Sequence, residues 1–271
     1  MDTRPIGVFD SGLGGLTAVH TLRQILPEED LIYFGDTSRV PYGGRSKETI
    51  LKYARQDVRF LRSFDLKAIL IACGTVSTTS LAALQGENPL PIVGVVEPTA
   101  QRAVAVSQNK KVGLIATLAS VRSGAYEAAV AKLDGAVEVV SRPCPLLVPL
   151  VENGRISRGD VVIETVAREY LEPMRLAGVD TLILGCTHYP LLRDIIGDIM
   201  GPGVTLVSAG EESAFALKRA LKEQNLRADE QHLGGAEFTV SDRVEDFERI
   251  ASLFLGEDLH HTARRIDIDQ Y

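Results

Sequence analysis

The sequence is poor in cysteine and histidine. Its three cysteines, Cys73, Cys144 and Cys186, are an odd number without C-x-x-C spacing, so neither a disulfide framework nor a dithiol redox motif is expected. His20, His188, His232, His260 and His261 show no zinc-type pairing with those cysteines, so no metal is expected, and the adjacent His260-His261 pair reads as surface. There is no excess of positive charge: Lys+Arg 29 against Asp+Glu 36 gives a net charge of −7, and no basic run interleaved with aromatics offers a phosphate footprint. Nucleic acid is therefore not an expected partner. No apolar stretch approaches the roughly 20 residues of a membrane span. The opening Met1-Asp2-Thr3-Arg4-Pro5 lacks the features of a signal peptide, so the expected location is cytoplasmic, with no membrane partner. A G-x-S-x-G elbow is missing, and a dinucleotide fingerprint read from Gly12 meets Thr17 where its third glycine belongs. Hydrolases and dehydrogenases are poor fits.

What is present is ordinary globular material. Hydrophobic residues make up 45% and charged residues 24%, enough apolar content for a sizeable core, and 271 residues favour two compact halves over one domain. Short apolar runs stopped by glycine or polar clusters alternate with amphipathic stretches, which predicts an α/β fold of two similar, doubly wound, mostly parallel sheets. The strand candidates are 6–9, 31–34, 68–72, 92–96, 112–116, 137–140, 181–184 and 204–207, with a weaker one at 238–240. A helix is expected over 157–171, with Ser157 and Asp160 as a capping box and Val161, Val162, Thr165, Val166 and Tyr170 as its buried face. Residues 240–271 read as a packed helix and a polar tail.

Two segments share a pattern. Ala68-Ile69-Leu70-Ile71-Ala72-Cys73 and Thr181-Leu182-Ile183-Leu184-Gly185-Cys186 each run through four strand residues and a small residue to a cysteine, with a hydroxyl residue (Thr75, Thr187) just beyond. Ligands of open α/β sheets bind at the carboxyl ends of the strands, so one cleft between the halves, with a thiol on each wall, is expected. The turn Asp10-Ser11-Gly12-Leu13-Gly14-Gly15 after the first strand reads either as a tight strand-to-helix turn or as a cradle for an anionic group. The stretch Gly35 to Arg45, too rich in glycine for a helix interior, is either a surface loop or a second contact for a small polar ligand.

A free cysteine is most often a small buried hydrophobe, and Cys144, between Pro143 and Pro145, is read as inert. Cys73 and Cys186 differ, since each ends a strand just before a helix, where unpaired N–H groups favour a thiolate. A thiol with an ordinary pKa near ~8.5 needs only a modest shift to act as a base at neutral pH. Two facing thiols can do more: one removes a proton from a carbon stereocentre while the other returns one to the opposite face. Net inversion follows without a cofactor. Asp10, His188 and Glu152 are the candidate auxiliary groups, each with a bland alternative as a cap or a satisfied structural residue.

With those residues in view, the chain resembles the glutamate racemase family of the cofactor-independent aspartate/glutamate racemases. The resemblance covers nearly the whole length. It rests on Gly7-Val8-Phe9-Asp10-Ser11-Gly12-Leu13-Gly14-Gly15, on Tyr33-Phe34-Gly35-Asp36-Thr37 with Val40-Pro41-Tyr42-Gly43, on Val148-Pro149-Leu150-Val151-Glu152, and on Leu184-Gly185-Cys186-Thr187-His188-Tyr189-Pro190, in that order. It implies L- and D-glutamate as substrates, no cofactor, a homodimer, and a role supplying D-glutamate for peptidoglycan and hence cell shape. It further implies that Cys73 deprotonates D-glutamate and Cys186 L-glutamate. Asp10 would assist the first thiol, Glu152 and His188 the second. Ser11, Tyr42, Gly43, Gly74, Thr75 and Thr187, with Asp10 and His188, match positions that hold the substrate.

One departure stands out: where the family usually has asparagine after the first cysteine, this chain has Gly74, which keeps the N–H but loses a side-chain amide. The expected division is residues 1–97 plus 208–271 for the half carrying Cys73, and 98–207 for the half carrying Cys186. The alternatives are a racemase or decarboxylase of another small dicarboxylate such as aspartate, or a protein that binds an acidic ligand without converting it.

Overall fold

Strand runs such as Ile6–Asp10, Ala68–Ile71 and Thr181–Leu184 are buried along their whole length. They are apolar on both faces because helices cover both sides of each sheet, the situation of parallel strands joined by crossover helices. In the computed structural model, which describes residues 1–256 and 262–271, the strands are β1 Ile6–Asp10, β2 Leu31–Gly35, β3 Ala68–Ile71, β4 Ile92–Val93, β5 Lys111–Ala116, β6 Glu138–Pro143, β7 Thr181–Leu184, β8 Thr205–Ser208, β9 Ala236–Val240 and β10 Ala263–Arg265. They form a six-stranded sheet, β10-β9-β2-β1-β3-β4, and a four-stranded sheet, β6-β5-β7-β8, with every pairing parallel.

The first four strands of each sheet follow one order, the second beside the first and the third on its other side. The chain therefore reverses its direction of winding between β1 and β3, and again between β5 and β7, and such switch points are where open α/β sheets bind ligands. The match extends to single hydrogen bonds. Ala72 N–H donates to the Phe9 carbonyl at 2.9 Å and Gly185 N–H to the Ile115 carbonyl at 2.8 Å, and the next residues are Cys73 and Cys186.

Several local expectations change. The strand at 92–96 is only Ile92–Val93, because the chain turns at Gly94 and a helix begins at Val96, with Pro98 tolerated in its first turn. The helix expected over 157–171 is Val161–Ala177, capped by Asp160, whose side chain accepts from Val162 N–H at 3.0 Å. Gly159, at φ +85°, keeps Ser157 outside the helix. Its buried stripe is Ile163, Ala167, Tyr170, Leu171 and Met174, while Val161 and Val162 are 74% and 44% exposed. The polar tail contains β10, whose sequence Ala-Arg-Arg has no apolar signal because it is an edge strand. His260 and His261 lie outside the described residues.

At the sheet edge away from the strands' carboxyl ends, Lys67 and Glu29 form a fully buried ion pair, and Lys67 Nζ also donates to the Asp2 carbonyl at 2.6 Å. Removing one partner leaves an uncompensated buried charge. Lys67→Ala is expected to lower the unfolding free energy by roughly 3–5 kcal/mol in urea denaturation, and a loss under about 1 kcal/mol would contradict this reading.

Candidate active site

The carboxyl ends of the two sheets face each other across a cavity of about 300 Å³. Of the residues singled out from the sequence, Ser11, Tyr42, Gly43, Cys73, Gly74 and Thr75 line it from one half. Glu152, Cys186, Thr187 and His188 line it from the other. Asp10 lies behind the wall, 1% exposed, its carboxylate accepting from Gly12 N–H at 2.9 Å and lying 3.5 Å from the Thr187 hydroxyl. Both thiols of the shared sequence pattern therefore open onto one space.

On the first wall, Cys73 caps the helix Gly74–Thr79, and its Sγ is 3.1 Å from Ser11 Oγ. Burial, followed by the negative charge of Asp10, pushes its thiol up to about 12, against the contrary pull of the Ser11 hydroxyl and the backbone N–H groups of Val76 and Ser11. The helix start expected to favour a thiolate is present, but burial and Asp10 outweigh it. Asp10 itself is raised by the same burial, in part offset by His188.

On the second wall, His188 Nε2 is 3.0 Å from Glu152 Oε1, and its Nδ1 is 3.7 Å from Cys186 Sγ. Burial alone would strip the ring of its proton. The hydrogen bonds and negative charge of Cys186 and Glu152 outweigh that penalty and hold its pKa up to about 10. A doubly protonated ring donates from both nitrogens, so His188 links the carboxylate to the thiol.

Glycine matters here for closeness. A Cβ on Gly14 would lie 2.1 Å from the Thr187 hydroxyl oxygen and 2.6 Å from His188 Nδ1, so the first turn exists to let its backbone press against the second wall. A Cβ on Gly74 would lie 2.5 Å from the Gly185 carbonyl oxygen, so the segments carrying the two thiols touch through their backbones. Glycine at position 74 thus lets the walls approach this closely.

Tyr42 is held differently from a free ligand-binding hydroxyl. Its Oη donates to Asp36 and is 3.0 Å from Asp57, while Arg39 spans the same two carboxylates and Ser241 donates to Asp36 at 2.8 Å. With the hydroxyl engaged, the main chain of Tyr42 and Gly43 is what this segment offers to a ligand. The glycine-rich stretch lines the cavity through residues 40–44 while Ser38, Val40, Pro41, Gly44 and Arg45 also meet solvent.

Among the lining residues not expected from the sequence are Thr117 and Cys144. Thr117, just after β5, joins the halves through its hydroxyl, 3.0 Å from both Thr75 Oγ1 and Ser120 Oγ. Cys144, read as inert, lines the cavity from the end of β6, its thiol donating to the Arg142 carbonyl at 3.6 Å and pushed up to about 12, chiefly by burial. Thr117 directly follows the expected strand 112–116, whereas Cys144 lies four residues beyond the expected strand 137–140 and reaches a strand end only because β6 runs to Pro143. Among the described residues no cluster of His, Cys, Asp and Glu has the makings of a metal site.

Residues 17–217 match the family model described as Asp/Glu/Hydantoin racemase. The chain is 45% identical over 259 residues to the glutamate racemase of Geobacter metallireducens, covering 96% of this chain and 95% of that one. Among solved structures it superposes on a glutamate racemase isoform from Bacillus anthracis with a TM-score of 0.94 at 37% identity, covering 98% of each chain. It also superposes on the glutamate racemase of Francisella tularensis in complex with D-glutamate, with a TM-score of 0.91 at 37% identity and 100% of each chain covered.

The His188 link has a pH signature. Folding raises its pKa from the ordinary 6.5 to about 10, so the stability contributed by its proton is complete below about 6.5 and is lost as pH rises towards 10. The stability advantage of the wild type over His188→Gln in chemical denaturation should therefore shrink across that range. An advantage that stays flat or grows would contradict the assignment.

Proposed function

The chain belongs to the Asp/Glu/hydantoin racemase family, and from that premise we propose that it is a cofactor-independent glutamate racemase working with two thiols. The observation that carries this reading is the equivalence of Cys73 and Cys186, which end matching strands of two sheets and line one cavity from opposite halves.

In the L-to-D direction the Cys186 thiolate takes the α-proton. The electron pair left on the α-carbon spreads into the α-carboxylate, and the Cys73 thiol delivers its proton to the opposite face. The enzyme then holds Cys186 as thiol and Cys73 as thiolate, the state that starts the reverse reaction. The Cys73 pKa, raised by burial and by Asp10, suits the proton-donor role. The substrate's ammonium brings a positive charge to a wall where burial and Asp10 disfavour a thiolate, which eases Cys73 into that form.

His188, bridging Glu152 and Cys186, assists the second thiol, as Asp10 and Ser11 assist the first. Main-chain groups of Ser11, Tyr42, Gly43, Gly74, Thr75 and Thr187 hold the ammonium and carboxylates. The α-proton is far less acidic than a thiol, so the carbanion-like transition state gains from oriented N–H groups in a space cleared of water. The close approaches at Gly14 and Gly74 support such closure.

The reading extends to the division of the chain into 1–97 plus 208–271 and 98–207, and to a homodimer. It also extends to a cytoplasmic role supplying D-glutamate for peptidoglycan. Among the described residues no helix is long and apolar enough to cross a membrane.

The test is loss of optical activity from L- and from D-glutamate with no added cofactor. Both should decay to zero, aspartate should stay optically active, and Cys73→Ser and Cys186→Ser should each lower kcat by about 10²–10⁴-fold. Turnover persisting in the Cys73→Ala, Cys186→Ala double variant would remove the mechanism. Gly74→Ala should cost on the order of 10²-fold in kcat/KM by forcing the walls apart. Gly86→Ala, where a Cβ meets nothing within 4 Å, serves as its control, and equal activity in the two would contradict the closure argument.

A further inference from the structure

Two recesses flank the reaction cavity, and they differ in charge. One, of about 360 Å³, shares Gly43, Gly44 and Leu118 with it and is edged by Arg45, Lys47 and Arg122, with no carboxylate on its wall. The other, of about 160 Å³, shares Gly12, Val40 and Glu152 with it and carries Asp242, Asp246 and a single cation, Arg243. The three cations of the first recess are exposed, and none forms an ion pair among the described residues. They come from both halves: Arg45 from the turn just before helix Lys47–Leu61, Lys47 from its first residue, and Arg122 from helix Leu118–Ser123. Glu48, their exposed acidic neighbour, does not line the recess.

Scattered surface cations are normally solvated and paired at random. These three stand around one recess of a chain whose net charge is −7, and that recess shares Gly43, Gly44 and Leu118 with a cavity proposed to take a dicarboxylate. At neutral pH such an amino acid carries one net negative charge, so the acidic recess repels it and the basic one attracts it. The low-dielectric walls of a recess strengthen that bias over what the same charges produce on a flat surface.

We propose that the recess of Arg45, Lys47 and Arg122 is an anteroom in which small dicarboxylates are collected before they pass between the thiols, and that the acidic recess takes no part in their passage. The proposal rests on the glutamate reading of the cavity. Its cations act through long-range attraction and touch no reacting atom. They raise the local concentration of substrate, so they act on KM and on affinity, and leave the proton transfers alone.

The experiment compares the wild type with Arg45→Gln/Lys47→Gln/Arg122→Gln and with Asp242→Asn/Asp246→Asn. Racemisation kinetics and calorimetric glutamate binding are measured at about 0.01 M salt, where the screening length is about 30 Å, and at about 1 M, where it is about 3 Å. At low salt the triple variant should raise KM for both enantiomers, and weaken binding, by about threefold to tenfold with kcat unchanged, and the difference should vanish at high salt. The acidic-recess variant should match the wild type in both. A triple variant equal to the wild type at low salt overturns the anteroom, as does an equal effect from the acidic recess or a difference that survives at high salt. A wild type that binds glutamate but does not racemise it overturns the reaction instead, and the binding data still decide the anteroom.

Discussion

Central strands of two sheets end at equivalent points, each fixed by one backbone hydrogen bond, from Ala72 to Phe9 in one half and from Gly185 to Ile115 in the other. The rest of the site depends on that equivalence. A cysteine one residue beyond each bond lies at the carboxyl edge of its sheet, and when the edges face each other the thiols face each other too. Parallel sheets of the same winding order produce this placement with no dedicated scaffold. The glycines then set the separation. Gly14 presses on Thr187 and His188, and Gly74 on Gly185, so the walls meet through backbone where side chains would hold them apart.

The two thiols are equivalent in position and different in surroundings. Cys73 lies near a buried carboxylate, Asp10, and a hydroxyl, Ser11, and burial with the charge of that carboxylate pushes its thiol up. Cys186 lies beside a histidine that a second carboxylate, Glu152, holds in its charged form. One thiol therefore has a buried carboxylate for its neighbour and the other a charged imidazole. An asymmetry of this kind suits a reaction in which one face gives a proton as the other takes one. Behind the first wall, the Arg39, Asp36 and Asp57 network fixes the ring of Tyr42 and with it the backbone of the segment that closes the cavity.

Much of this was legible in the sequence because the strands are buried on both faces and read as short apolar runs. The pattern of strand, small residue and cysteine marked Cys73 and Cys186 for the same reason: it records where a strand stops. β10 was not legible, since an edge strand of Ala-Arg-Arg buries too little to leave an apolar trace. The helix at Val161–Ala177 was placed too early because Ser157 and Asp160 are both good caps, and only the left-handed Gly159 between them decides which is used. Cys144 was read as inert between two prolines, and Thr117 was not singled out. Their importance comes from the ends of β5 and β6 reaching the same cavity, a tertiary fact. Tyr42 was expected to offer a ligand contact, and the side chain's engagement with Asp36 and Asp57 could not be read from residues that far apart in the chain.

The most direct test of proton transfer by opposed thiols is to follow isotope during the first turnovers of L-glutamate in D2O. With one thiol removing the proton and the other supplying deuterium from solvent, newly formed D-glutamate carries α-deuterium while the remaining L-glutamate stays protiated. Deuterium entering the unreacted L-glutamate as fast as the product forms would mean that a single group works on both faces, and the pairing of Cys73 with Cys186 would fail.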